Sequence, residues 1–589
     1  MKKHYETHVE DTDKLISVAG PVLDYKSWYE QYRKLMEEQT QRKYGLYTPT
    51  SEGDDDFPSI PGMIARYSAL GLTNEQMAAN PVWVDKTGNG RDLQLKNFSW
   101  KGMSGVGGYE MNFNLWRNNV SSIPDISMST TTTSVSVSVG NSTYNNNLIY
   151  IHISNWDINK NHWLKVTSTY EDGDLAFIFY NDSNTKKIGL PANGYVNILA
   201  YPEFKGSYMY ISTISNKQGS FTVEQLPLYP GALVFDGVDD WAGCDNLPLL
   251  PKEKGYSIIA LRNWITRYDA TQYKRPLISN LDTNDEGAFL IEYRKDENVS
   301  DVTGSYNSFT DAYIDDNNPI TWQTSSSYNG QIIKKGTSKS SNKLCICKTY
   351  FGQLSKYANA AIWEIVILDH DATEEELTKI KDYFVKTYPW LFPDQAWTVV
   401  GKTNEDEDRA TIANITGNGN DLVCLNLGFI EGSGYNEEGE YAGYLVTDGV
   451  DDKITSSTFE MGNDWTVIGD WELINTGKND NAGIVKFDSI VIYNYNPILI
   501  NIKNGRNNLI PDQNTVNAIC SDGRIYSKDW KESIYNEETE STSKNFLTIG
   551  YSGNDYTKIA FRNLAIYPTV LSKEDCIKAY NYLQTLKAK

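Results

Sequence analysis

At 589 residues the chain is too long for one hydrophobic core, and about 150 residues per domain points to roughly three to five domains. A composition of 40% hydrophobic and 12% aromatic residues, with 40 Tyr, 15 Trp and 43 Gly, is that of a β-rich globular protein and argues against disorder over most of the length. The net charge of −22, from 54 basic and 76 acidic residues, repels phosphate backbones and anionic lipid surfaces, so no nucleic-acid partner is expected; the same charge keeps a Tyr-rich β protein soluble.

The opening residues Met1-Lys2-Lys3 are not followed by an apolar run or a small-residue cleavage site, so no export signal is expected. No stretch approaches the roughly 18 apolar residues of a bilayer-crossing helix, and no membrane insertion is expected. Residues 1–60 are polar and helix-prone. Ser27-Trp28-Tyr29-Glu30 has the form of a capping box, and Trp28, Tyr32, Leu35 and Met36 follow at helical spacing. This aromatic stripe docks on its own domain or anchors the chain to a partner. Glu52-Gly53-Asp54-Asp55-Asp56, ending at Pro58, reads as a linker.

From about Pro61 the chain begins to repeat itself. Thr73-Asn74-Glu75 and Thr87-Gly88-Asn89-Gly90-Arg91-Asp92-Leu93 return as Thr403-Asn404-Glu405 and Thr416-Gly417-Asn418-Gly419-Asn420-Asp421-Leu422. Asp236-Gly237-Val238-Asp239-Asp240 returns unchanged as Asp448-Gly449-Val450-Asp451-Asp452, each after a short apolar run. Matches this long, in the same order, mean two copies of one fold. Asn-Gly tolerates positive φ, so each Thr-Gly-Asn-Gly is a tight turn feeding a strand, and its Asp caps the turn.

The spacing differs between copies: 148 positions separate Gly88 from Asp236, but 31 separate Gly417 from Asp448, so the first copy carries about 117 extra residues. These residues, about 114–230, contain Val135, Val137 and Val139 alternating with Ser, then short β-rich runs at 148–153, 163–166, 175–180, 195–201 and 208–211. Turn residues separate the runs, which predicts a small inserted β-sandwich. Hanging it from a surface loop costs little closure entropy.

Beyond the second motif the copies run in parallel. Ser257–Leu261 matches Thr466–Trp471, and Leu344-Cys345-Ile346 matches Leu547-Thr548-Ile549. Val516–Ile519 and Arg524-Ile525 form a hairpin around Asp522-Gly523. Each copy ends on an apolar strand (Ile362–Leu368, Phe561–Tyr567) and a helix capped by Thr373 or Ser572, the first with Leu377, Ile380 and Phe384 on its apolar face. Tyr388-Pro389-Trp390-Leu391-Phe392-Pro393-Asp394 reads as a Pro-punctuated linker between the copies.

Six cysteines (Cys244, Cys345, Cys347, Cys424, Cys520, Cys576) contain no CxxC pair, and five histidines (His4, His8, His152, His162, His370) are scattered, so no zinc site is expected. On a strand Cys345 and Cys347 share a face and do not bridge. The cysteines read as small core or surface residues in a reducing compartment.

Taken together, Thr-Gly-Asn-Gly before a strand, Asp-Gly-Val-Asp-Asp after the next, and a last apolar strand followed by Ser/Thr-x-x-Glu/Asp resemble the laminin-G-like, concanavalin A-like jelly-roll domains. The resemblance covers 61–113 with 231–394, and again 395–589. It implies a mainly β fold: two concanavalin A-like jelly-roll sandwiches, the first interrupted at 114–230 by a small β-sandwich, behind a helical N-terminal segment, 1–60. Rim loops and carbohydrate or protein recognition are the family's usual features. The insertion's end, Phe221-Thr222-Val223-Glu224-Gln225-Leu226-Pro227-Leu228-Tyr229-Pro230-Gly231, is similar to structural proteins of tailed phages of Bacteroidales, including crAss-like phages. That resemblance implies a non-enzymatic virion component, a fibre or capsid-attached decoration, assembled in the host cytoplasm. Its N-terminal segment would meet other virion proteins, its β-domains a host-surface glycan, and the chain would form a homo-oligomer.

Two further readings remain. One is a bacterial carbohydrate-binding protein with Trp and Tyr platforms for sugar rings, although most aromatics of a β protein serve core and sheet pairing. The other is a glycoside hydrolase, which in laminarinase-like enzymes places Glu-x-Asp-x-Glu or Glu-x-Asp-x-x-Glu on one strand face so that two carboxylates flank a sugar bond. Neither pattern occurs. Glu405-Asp406-Glu407-Asp408 and Glu171-Asp172-Gly173-Asp174 read as solvated loops. No catalytic, cofactor or metal residue is therefore expected. Laminin-G-like folds sometimes hold Ca²⁺, and Asp239, Asp240, Asp451 and Asp452 offer oxygen ligands. A turn of this kind also uses its carboxylates to bind its own backbone N–H groups. Its unchanged survival beside different neighbours, Trp241 and Lys453, favours the second role and puts recognition in the unshared parts.

Overall fold

The computed structural model describes residues 56–109, 126–140, 162–181, 184–198, 208–213, 218–250, 255–266, 274–282, 289–294, 318–325, 341–352, 356–439, 441–474, 516–527, 530–534, 547–552 and 555–588, with several isolated strand pieces. The chain divides into two compact units, Met1–Phe57 and Pro58–Lys589. The predicted helix around Trp28 and the linker to Asp55 lie outside the described residues.

The second unit is mainly β, built from antiparallel sandwiches. In the first copy the elements used below are β1 (Met63–Ser68), β2 (Leu93–Lys96), β3 (Leu233–Asp236), β4 (Trp241–Cys244), β5 (Ser257–Trp264), β6 (Leu344–Ile346), β7 (Asn359–Leu368) and helix α1 (Glu374–Thr387). The second copy repeats them as β8 (Gln395–Thr398), β9 (Leu422–Leu425), β10 (Leu445–Val446), β11 (Lys453–Ser456), β12 (Thr466–Leu473), β14 (Thr548–Ile549), β15 (Ile559–Tyr567) and α2 (Lys573–Thr585), with β13 (Val516–Cys520) beside β12.

The long strand of each copy organises its inner sheet. β7 pairs β5 along its length on one side and divides its other edge between β3 and β1. β15 does the same with β12, β10 and β8. Register is shared as well: Ser257 faces Leu368 and Thr466 faces Tyr567, and a bulge falls at Leu261/Arg262 and at Asp470/Trp471. The facing sheet runs β2–β4–β6 in one copy and β9–β11–β14 in the other. Between the sheets lie two separate cores, one around Tyr67, Trp83, Phe235, Ile258 and Ile362, the other around Trp397, Ile454, Val467 and Phe561.

Residues of the insertion form a three-stranded and a five-stranded sheet. Ser134–Val139 alternates as its sequence suggests, with Val135 and Val137 packed against Phe177, Phe221 and Val223 in a core of their own.

An antiparallel sheet ordinarily leaves one face in water. Here every residue of β5 is buried, and only Asn359 of β7 is not. Helix α1, capped by Thr373 and Glu376 in a reciprocal box, covers the outer face with Leu377, Ile380, Tyr383 and Phe384. Under it, Arg66 bonds Glu364 at 3.2 and 3.3 Å and Tyr383 at 2.9 Å, while the Tyr388 hydroxyl reaches Glu364 at 2.8 Å. The second copy gathers buried Asp470, Tyr444 and Tyr580 with half-buried Arg562, and Tyr444 OH bonds Asp470 at 3.1 Å. Buried ion pairs gain stability only when their polar atoms find partners; both Glu364 oxygens do, whereas Asp470 Oδ2 and Arg562 Nε are left without a hydrogen bond.

The segment after α1 is packed into the fold. Pro389–Leu391 forms a 3-10 turn, and Tyr388, Trp390 and Leu391 are buried. Trp390 receives the Lys578 ammonium of α2 4.1 Å above its ring, and its carbonyl accepts the Tyr567 hydroxyl at 3.0 Å. Asn263 of β5 also bonds Thr585 of α2 at 3.1 Å. These contacts join the two copies. Trp390→Ala is expected to cost about 3–5 kcal/mol and to split one calorimetric unfolding transition into two; a single transition at the original temperature would contradict this joint.

Candidate functional site

Each Asp-Gly-Val-Asp-Asp segment is a carboxylate-capped turn between two strands. Asp236 Oδ1 accepts the Val238 N–H at 2.8 Å and the Asp239 N–H at 3.3 Å, and Asp240 Oδ2 accepts the Asp236 N–H at 3.1 Å. In the second copy Asp448 Oδ1 accepts Val450 N–H at 2.7 Å and Asp451 N–H at 3.3 Å, and Asp452 Oδ2 accepts Asp448 N–H at 2.8 Å. Gly237 has φ of 77° and Gly449 of 76°, and a Cβ on either would lie within 3 Å of Asn359 or Lys558. Only glycine fits there.

Residues from the preceding hairpin lock the turn. Asn97 and Asn426, both left-handed, donate to the Asp239 and Asp451 carbonyls at 2.9 and 3.0 Å. Ser433 Oγ donates to Asp452 Oδ2 at 2.8 Å, and Ser104 is the corresponding neighbour of Asp240. The other repeated motifs also turn inward. Asn74 brackets Val106 N–H and C=O at 2.8 and 3.2 Å, as Asn404 brackets Tyr435 at 2.8 Å twice. Asp92 and Asp421 each accept a backbone N–H at 2.8 Å, from Asp85 and Asn414.

Asp236, Asp239 and Asp240 bring three ligand oxygens within 4.8 Å of one another, and so do Asp448, Asp451 and Asp452. A hard cation would need those oxygens free. In both copies two of the three carboxylates already accept backbone N–H groups, each through one of its two oxygens. Those bonds are the turn-capping role of the carboxylates.

Asp240 and Asp452 are 0% exposed, and each keeps Oδ1 without a hydrogen-bond partner. Burial, partly offset by the serine bond, pushes the Asp240 carboxyl up to about 7, with the Asp236 charge adding to the rise; burial raises Asp452 as well. A folded-state value above the unfolded one favours the protonated fold. That stabilisation is full below about pH 4 and is lost as pH rises through about 7. Asp240→Asn should remove this dependence, so the variant gains on the order of 2 kcal/mol over wild type between pH 5 and 8. Parallel melting curves of the two proteins across that range would contradict the assignment, and a chelator should move neither melting temperature.

The residues just beyond each turn differ between the copies, yet in a paired way. Trp241 opens β4, and Lys348, two residues beyond β6, places its Nζ 4.0 Å over the indole. Lys453 opens β11, and Tyr551, two residues beyond β14, lies beneath its Nζ at 5.1 Å. Ala242 pairs Ile346 and Ile454 pairs Ile549, so these are the same two positions with ring and cation exchanged. Trp241 continues to Phe351 at 5.7 Å, itself under Lys343, and Tyr551 continues to Tyr556 at 4.9 Å. A half-buried cluster of rings and lysines therefore flanks each turn. Lys348→Tyr alone should cost about 1 kcal/mol, and adding Trp241→Lys should restore most of it; additive losses in that double-mutant cycle would refute the pairing.

The acidic stretches lie in turns. Asp406 caps Thr403, Asp408 pairs Lys402 at 2.8 Å, and Asp172 accepts Ala192 N–H at 2.7 Å. Cys347 departs from the predicted strand: it comes directly after β6 in a left-handed conformation, φ 58°, where the second copy has Gly550. Sequence reading missed this, and missed the Arg66–Glu364 network, whose one signal was a single Glu in the apolar run Ile362–Leu368.

No family model matches the chain, and no curated protein does. Among solved structures, Trypanosoma rangeli sialidase in complex with sialic acid is similar over 78% of this chain and 83% of that chain, at 7% identity and a TM-score of 0.25. The botulinum neurotoxin serotype D binding domain is similar over 59% of this chain and 88% of that one, at 10% identity and a TM-score of 0.21. Likeness at this level carries no inference about what this chain binds.

Proposed function

We propose that the chain is a non-enzymatic structural and adhesion component of a tailed-phage particle, acting through its laminin-G-like jelly rolls. The observation that carries the reading is the use made of the shared polar motifs: the turn carboxylates and the bracketing asparagines bond the fold's own backbone. A scaffold whose shared polar groups are spent on its own backbone suits display of outer surfaces more than assembly of a catalytic pair. Residues 1–60 attach the chain to other virion proteins, and it works as a homo-oligomer on a particle assembled in the host cytoplasm.

The ring-and-lysine clusters beside the turns favour a glycan as the outer ligand, since aromatic edges and ammonium donors suit sugar rings and hydroxyls. The same feature would serve a bacterial carbohydrate-binding protein, and the two sources separate by experiment. Mass spectrometry of purified particles should find the chain in stoichiometric amount, and the full chain on a glycan array should retain a defined glycan without releasing sugar. Absence from particles would remove the virion role, and sugar release by the pure chain would overturn the non-enzymatic reading.

A further inference from the structure

The corner at which the long strand ends and the helix begins keeps one framework in both copies and adds a histidine in the first. Ser257, which opens β5, donates its hydroxyl to the His370 carbonyl at 2.9 Å and accepts the Ala372 N–H at 2.7 Å. Thr466, which opens β12, does the same with the Thr569 carbonyl at 2.8 Å and the Leu571 N–H at 2.9 Å. His370 therefore stands where the second copy has Thr569.

Both ring nitrogens of His370 meet carboxylates. Nδ1 lies 3.1 Å from Asp369 Oδ1, and Nε2 lies 3.2 and 3.1 Å from the two oxygens of Glu376. An ionised carboxylate only accepts, and a neutral imidazole carries a single N–H, so both contacts are hydrogen bonds only when the ring is an imidazolium. The side chain is 31% exposed, which leaves it open to proton exchange with water. The rest of the corner is acidic as well. Asp371 accepts the Tyr256 and Ser325 N–H groups at 3.3 and 3.0 Å, and Glu374 and Glu375 lie in the first turn of α1, where Glu375 bonds Lys379 at 2.7 Å. Strands β1 and β5 meet the corner with Gly62, Tyr256 and Ser257, and among the described residues no Lys or Arg pairs with Asp369 or Glu376. Burial works against the charge on the ring, but the bonds to Asp369 and Glu376 outweigh it and raise the imidazole above its ordinary value. Burial opposes the Glu376 charge too, and the Thr373 N–H and His370 draw that carboxyl down.

We propose that His370 is a pH-operated clamp on the start of α1: its imidazolium ties the end of β7 to the helix cap, and loss of its proton breaks one of the two ties. Glu376 is also the capping-box partner of Thr373, accepting its N–H and its hydroxyl at 2.9 Å each, so a neutral ring that turns a lone pair toward Glu376 acts on the cap itself. The clamp presses on β1 as well. A Cβ on Gly62 would lie 2.9 Å from His370 Nδ1, and the Gly62 carbonyl accepts the Asp369 N–H at 2.9 Å. The helix so held covers the outer face of β5 and β7 and leads into Tyr388 and Trp390. Because the folded-state value is raised, the tie is complete below the ordinary histidine value of about 6.5 and is lost as pH rises through the folded one. Asp240 gives global stability a dependence of the same sign, so the test has to be local.

Histidine C2-hydrogen exchange of the full chain, read by mass spectrometry, follows the titration of His370 apart from the other histidines. Amide exchange corrected for intrinsic rates then gives the protection of Thr373, Glu376 and Leu377 at about pH 5 and about pH 8. His370 is expected to titrate above about 6.5, and protection of the three amides to fall about three-fold or more at the higher pH. Asp575 and Cys576 at the start of α2, beside Thr569, should keep theirs. His370→Thr, which installs the residue of the second copy, should hold the three amides at the low protection at both pH values, and Asp369→Asn should bring the His370 titration down toward the ordinary value. Titration of His370 at or below that value, or equal wild-type protection of the three amides at both pH values, would overturn the proposal. Both of these readings come from the wild-type chain and decide the matter even where a variant fails to fold.

Discussion

A backbone N–H held by a carboxylate is the interaction on which both sandwiches depend. Asp236 and Asp448 tie the N–H groups of the tip, while Asp240 and Asp452 reach back to the start of the turn. The arrangement aligns the strand that enters with the strand that leaves, and those strands belong to opposite sheets. β3 lies in the sheet of β7, and β4 in the sheet of β6. Each turn is therefore the corner at which the chain crosses its own core. The cost is a buried carboxyl with an unpartnered oxygen, a penalty of about 1–3 kcal/mol for such a group. Both copies bear it, which marks it as a requirement of the corner and not an accident of one loop.

The second constraint is the burial of both faces of the central sheets. Covering the outer face with α1 and α2 forces charged and hydroxyl groups under the helices to pair with one another, as Arg66 does with Glu364 and Tyr383. It also turns the short segment around Trp390 into a joint. The long central strands β5, β7, β12 and β15 are in consequence buried along almost their whole length.

Much of this was legible in the sequence for identifiable reasons. Gly237, Gly449 and the Asp residues around them have backbone duties that few residues perform, so they recur at fixed spacing and set the copies in register. Val135 and Val137 alternate because one face of their strand is buried. The same logic explains the failures. The Trp241–Lys348 and Lys453–Tyr551 pairs are invisible to a comparison of identical residues, since the interaction is kept while its partners trade places. Pro389 and Pro393 marked a linker, but not that Trp390 between them is buried and takes up Lys578 and Tyr567 of the second copy. Pairing across distant strands decided these cases, and no local pattern encodes it.

If the repeated turns serve the fold by binding their own N–H groups, the amides of Val238, Asp239, Val450 and Asp451 are protected from solvent exchange. Hydrogen–deuterium exchange resolved to single amides reads this without perturbing the chain. The valines at these tips, Val238 and Val450, are 73% and 71% exposed, so simple exposure would give exchange near the free-peptide rate. Slow exchange is expected at all four amides, comparable to the flanking strands β3 and β10. Free-peptide rates there in the folded protein would contradict the assignment of the turn carboxylates to the fold.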